Sequence, residues 1–160
     1  MLVAHKRIIG AGDRKSPVHR ASLPTTCGTC HAGQLMEFQK SKHFQLLKAD
    51  DKRGPTCATC HEDVGDTLLS PKSLEGQCNS CHGPGKAAPR PERAANARLM
   101  LENVREARSQ LKQARDLIKQ VKDASRKARL SQEAEMVALE LKFAVEAGHS
   151  FVYDGLQQRV

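Results

Sequence analysis

Three pentapeptides carry the chemistry-bearing residues of this chain. They are Cys27-Gly28-Thr29-Cys30-His31, Cys57-Ala58-Thr59-Cys60-His61 and Cys78-Asn79-Ser80-Cys81-His82. Together they use all 6 cysteines, and a histidine directly follows the second cysteine of each pair. In C-x-x-C-H the two thiols can form thioethers with the vinyl groups of a haem, while the adjacent imidazole takes one axial position on the iron. Cys27, Cys30, Cys57, Cys60, Cys78 and Cys81 are therefore read as covalent attachment points for three c-type haems, with His31, His61 and His82 as the proximal iron ligands. Two other chemistries use close cysteine pairs. Tetrahedral zinc takes four ligands, so three pairs leave a remainder, and zinc gives no reason for a histidine after every pair. Structural disulfides seldom close a two-residue loop, a spacing more typical of redox or cofactor chemistry.

Of the 7 histidines, four lie outside the motifs: His5, His19, His43 and His149. An iron that only transfers electrons is best held by two strong axial ligands, because a six-coordinate low-spin centre changes geometry little between oxidation states. His43, His149 and His19 are the expected distal ligands, and His5, near the start of the sequence, is a further candidate. Methionine is the rival ligand and would raise the reduction potential. Met36 is the nearest candidate, whereas Met100 and Met136 read as helix-packing residues.

Composition agrees with a chain built round cofactors. There is no Trp, a single Tyr and 4 Phe, too few bulky side chains for an ordinary core of this length. Three porphyrins would supply that apolar surface, and the cysteine-rich part is expected to need them in order to fold. The formal charge of +8 would be offset in large part by haem propionates. It does not point to nucleic acid, since aromatic interleaving and recognisable binding motifs are both missing. No apolar run is long enough to span a bilayer, and none near the start resembles a signal peptide. Because c-type haem is attached outside the bacterial cytoplasm, a periplasmic or extracytoplasmic location is expected, with a signal removed or lying outside this stretch.

The elements that position these residues are expected to be mainly helical. Gly10, Gly12, Pro17 and Pro24 make residues 1–26 irregular. Residues 32–50 hold a short helix, and Gly54-Pro55 marks a turn before the second motif. The motif intervals are too short for separate folding round each haem, so the porphyrins share a core. After Gly83-Pro84-Gly85 and Pro89, composition shifts to helix formers. Ala97, Val104, Leu111 and Ile118, with Met100, Ala107, Ala114 and Val121, form one heptad stripe. Leu130, Ala134, Val137, Leu141, Ala144 and Val145 form a second. Two antiparallel helices are expected, about 92–124 and 131–157; the alternative is one long kinked helix, which would carry His149 far from the haems of its own chain. The expected architecture is a loop-rich, haem-wrapped region over 1–90, followed by a helical hairpin over 91–160 that packs on the haem core and ligates it.

With the three motifs, Ser41-Lys42-His43-Phe44 and Ala147-Gly148-His149-Ser150 in view, the chain resembles multihaem cytochromes c of the hydroxylamine oxidoreductase and ammonia-forming nitrite reductase type. That resemblance implies closing helices with a distal histidine late in the helical part. The C-x-x-C-K variant that marks the catalytic haem of many nitrite reductases does not occur here. The expected function is therefore single-electron transfer between redox partner proteins rather than catalysis. Larger cytochromes or a membrane-associated electron-transfer complex are possible partners, and an oligomer is possible. The alternatives are a small reductase of nitrogen or sulfur oxyanions at a five-coordinate haem, and a subunit of a cytochrome complex or haem-wire polymer.

Overall fold

The computed structural model describes residues 9–61, 69–86 and 88–152. These residues form helices joined by turns, with no strand among them. The mainly helical expectation is borne out. The chain divides into two compact units, Met1–Val64 and Gly65–Val160. The composition change near residue 90 therefore differs from the division made by contacts: the third motif shares a unit with the hairpin.

In the first unit, residues 10–22 run through successive three-residue turns. The bonds Asp13 N–H to Gly10 O at 3.1 Å, Ser16 N–H to Asp13 O at 2.9 Å and His19 N–H to Ser16 O at 3.1 Å mark the repeat. Ser16 is completely buried, and its hydroxyl donates to Ile9 O at 3.0 Å and accepts from Val18 N–H at 3.3 Å. A buried hydroxyl paired in this way fixes a turn that carries no helix of its own. Helix α1 spans Leu23–Gly28, with Pro24 in its first turn. Residues 32–50 contain two helices, α2 (Ala32–Gln39) and α3 (Lys42–Lys48), where the sequence suggests one. Ser41 makes the break: its hydroxyl accepts the N–H of Phe44 at 3.0 Å, the N-cap bond that starts a new helix. The angle between α2 and α3 lets Phe38 and Phe44 meet edge to face, with ring centroids 5.5 Å apart. Helix α4 is the single turn Cys57–Cys60.

In the second unit, α5 covers Pro71–His82. Sequence periodicity did not reveal this helix, although Ser70-Pro71 is a capping signal: Ser70 Oγ accepts from Ser73 N–H at 3.0 Å, with Pro71 at the first helical position. Helices α6 (Pro91–Lys119) and α7 (Ala124–Ala147) form the antiparallel hairpin, and a 3₁₀ turn over Gly148–Ser150 follows. The turn between the helices is shorter than expected. Asp123 Oδ1 accepts from Arg126 N–H at 2.6 Å and starts α7 well before residue 131. The change of hydrophobic phase after residue 123 is a change in the face presented, not a gap between helices. The expected end near 157 lies outside the described residues; α7 stops at Gly148.

The polypeptide core is thin. Among the described residues the buried hydrophobics are Phe38, Leu47, Ala94, Ala97, Leu101, Val104, Ala134 and Ala144. Half of these are alanines, which allow helices to approach closely but bury little surface. The α6 stripe is buried near its start and fades toward its end. Leu101 is buried where the heptad row names Met100, because a straight helix drifts from a seven-residue repeat. On α7, Val137 is 53% exposed and Met136 56% exposed, so neither packs as its pattern suggests.

Candidate haem sites

Each motif is built on one helical turn. In the first, Cys27 lies in the last turn of α1 and the N–H of His31 returns to Cys27 O at 3.0 Å. In the second, His61 N–H reaches Cys57 O at 2.9 Å. The third is the last turn of α5. A helical turn places residues i, i+3 and i+4 on one face, with Cβ atoms of neighbours about 5–6 Å apart. Both thiols and the following histidine of each motif therefore start from the same side of the backbone.

The hydroxyl residue before the second cysteine holds this turn, a feature that the sequence reading passed over. Thr29 Oγ1 donates to Thr26 O at 2.8 Å, and Ser80 Oγ donates to Gln77 O at 2.7 Å. In the second motif Thr59 Oγ1 accepts from Thr56 N–H at 2.9 Å, completing a capping box. The signal was present as the repeated C-x-[Thr/Ser]-C.

The first two motifs come together in the first unit. The Cys57 thiol lies beside Cys27 and is pushed up to about 11, first by burial and then by the neighbouring Cys27. Burial also raises the Cys60 thiol. Cys30 and Cys81 are exposed. None of the six cysteines is in a disulfide. Among the described residues no three of His, Cys, Asp and Glu converge on a point that would hold a bare metal ion. Two thiols and one imidazole on each turn fit covalent attachment of a haem: the thiols would bond its vinyl groups and the imidazole would take one axial position on the iron.

Arg20 positions the approach to the second motif. Its guanidinium donates to Asp51 O at 3.0 Å and Gly54 O at 2.9 Å, and it pairs with Asp50 at 3.3 Å. Arg14 pairs with the same Asp50 carboxylate. Gly54 lies flat against α3: a Cβ there would stand 2.6 Å from the Cα of Leu47. Nothing in the local sequence singles out Arg20, whose partners lie some thirty residues away.

The histidines outside the motifs are spread over both units. His19 and His43 lie in the first and His149 in the second, while His5 lies outside the described residues. Their ring nitrogens are held differently. Nδ1 of His149 faces the carbonyls of Val145 at 3.0 Å and Glu146 at 3.2 Å. Nδ1 of His82 faces Ala88 O at 2.8 Å. A carbonyl only accepts, so both Nδ1 atoms carry the proton and Nε2 is the basic nitrogen, the tautomer used in metal ligation. His19 is the opposite, since its Nδ1 accepts Ala21 N–H at 3.2 Å. His43 sits half-buried on α3 beside the Phe38–Phe44 pair. Met36 is 61% exposed on α2, whereas Met100 packs against Gly148.

Residues 13–87 match the family model of cytochrome c7 and related cytochrome c. The matched stretch contains all three motifs, His19 and His43, and ends before the hairpin. The match supports a multihaem c-type cytochrome with an electron-transfer function. No curated protein and no solved structure matches the chain. No helix among the described residues is long and apolar enough to cross a membrane.

Proposed function

We propose that this chain is a triheme c-type cytochrome that passes single electrons between extracytoplasmic redox partner proteins. Larger cytochromes or a membrane-associated complex are suitable partners. The observation that carries the reading is the repeated construction of the three motifs: every cysteine lies in a one-turn C-x-x-C-H unit, within a stretch similar to cytochrome c7. When bound, the haems would carry single electrons accepted from a donor protein and passed to an acceptor protein.

The chain's own residues would do the rest. Cys27 and Cys30, Cys57 and Cys60, and Cys78 and Cys81 hold the porphyrins. His31, His61 and His82 bind on the proximal side, and His43, His149 and His19 on the distal side, with His5 in reserve. The Ala88 carbonyl orients the His82 ring and fixes its tautomer. A histidine late in a helical hairpin is also the feature that relates the chain to the hydroxylamine oxidoreductase and nitrite reductase type.

A pyridine haemochrome assay and the denatured mass of matured protein test this reading. Three haems per chain and a mass increased by three covalent haems are expected; a colourless protein at the bare polypeptide mass would overturn it. One observation favours a second reading, a reductase with one five-coordinate haem: His19 accepts a hydrogen bond at Nδ1 and must surrender it before Nε2 can bind iron. Binding of cyanide or nitrite to the native ferric protein would select that reading.

A further inference from the structure

We infer that His149 is the distal ligand of the haem attached at Cys78 and Cys81, and that the 91–152 hairpin serves to close that one site. The inference rests on the triheme reading above and adds a pairing to it.

The second unit contains one motif and, among the described residues, one histidine outside it. The first contains two motifs with His19 and His43. Each unit thus carries a distal candidate for each of its own motifs. Within the second unit, packing brings the two ends together. Cys78 packs against the buried Ala97–Ala144 contact, and so do Ala147 and Phe151, which stand two residues either side of His149. The first thiol of the third motif and the backbone flanking His149 therefore share one small cluster.

The hairpin holds His149 in that place by several independent contacts. Ala97 and Ala144 are 0% and 2% exposed, so α6 and α7 meet with little between them. Gly148 is buried, and a Cβ there would come within 3.2 Å of the Met100 sulfur. Arg93 donates to Phe151 O at 3.3 Å, tying the residues after the 3₁₀ turn to the start of α6. On the other side, Arg90 N–H donates to His82 O at 2.7 Å, tying the proximal histidine to the same end of α6. Both imidazoles hold the proton on Nδ1 against backbone carbonyls. On each histidine Nε2 is thus the ring nitrogen that would bind iron, with the ring oriented by backbone carbonyls.

The test compares matured wild type, His149→Ala and His149→Met, each also in a Cys78→Ala/Cys81→Ala background that retains two haems. For His149→Ala we expect three haems by pyridine haemochrome, one of them high-spin in the ferric absorption and electron paramagnetic resonance spectra, returning to low-spin with added imidazole. His149→Met should keep all haems low-spin and raise the potential of one. In the two-haem background His149→Ala should change neither spin state. Three low-spin haems in His149→Ala would overturn the pairing while leaving the triheme reading intact, as would a spin change that persists in the two-haem background. Wild-type protein without haem would overturn the reading beneath it instead.

Discussion

The Cys57 thiol lies beside Cys27, so the first two motifs meet through their leading cysteines. Residues 32–56, turns and short helices, lie between the two motifs, and nothing local in the sequence joins them. Burial and the neighbouring thiol push Cys57 up to about 11. Only the thiolate is a good nucleophile, so a raised thiol is a slow one. Polypeptide kept free of haem should therefore alkylate more slowly at Cys57 than at exposed Cys30 and Cys81, by at least about tenfold at mildly alkaline pH. Urea should equalise the rates. Equal rates without urea would mean that this unit forms only round its cofactors. The sign of the linkage is fixed: stability from the protonated thiol is complete below the ordinary thiol range and is lost as pH rises from about 9 toward about 11.

Gly54 lies against the backbone of Leu47 just ahead of the second motif. Gly54→Ala would drive a methyl group into α3, and backbone has no rotamer by which to yield. A loss of about 1–3 kcal/mol is expected, the range for overpacking. Denaturant unfolding of the matured protein, followed by haem absorption, measures it; an unchanged midpoint would contradict the close approach.

The carboxyl of Asp51 is held down at about 2, chiefly by its hydrogen bond from the Arg53 guanidinium and then by the Arg53 backbone N–H. A depressed carboxyl contributes stability above its ordinary range, and that contribution is lost as pH falls through about 4 toward 2. Asp51→Asn should remove this part of the acid fall by lowering stability at neutral pH to about the level the wild type has once Asp51 is protonated, a small change since the pair is exposed. Acid titrations of both proteins, followed by circular dichroism, would show superimposable curves if the contact had no effect.

Asp123 caps α7 through Arg126 N–H. Asp123→Ala should cost about 0.5–2 kcal/mol, the usual value of an N-cap. If the hairpin closes only the third haem site, this loss should appear as easier binding of external ligands at one haem. A thermal melt with and without imidazole separates the two effects, and equal melting of all three haem signals would argue against such a division.

Residue identity and spacing alone carry the haem reading. C-x-x-C-H is complete within five residues, and one helical turn is enough to set its thiols and imidazole on one side. Composition likewise marked the helical hairpin, because Ala, Leu, Glu, Lys and Arg over fifty residues have few other stable outcomes. The locally capped starts at Ser41, Ser70 and Asp123 were present in the sequence but weaker than the periodicity that competed with them. Tertiary structure alone decided which distant residues meet. Cys57 approaches Cys27, Arg20 reaches the carbonyls of Asp51 and Gly54, and the His149 end of the hairpin joins Cys78 around Ala97 and Ala144. Those pairings depend on the angle at which short helices pack and on how closely small side chains let backbones approach. Neither leaves a periodic trace along the chain.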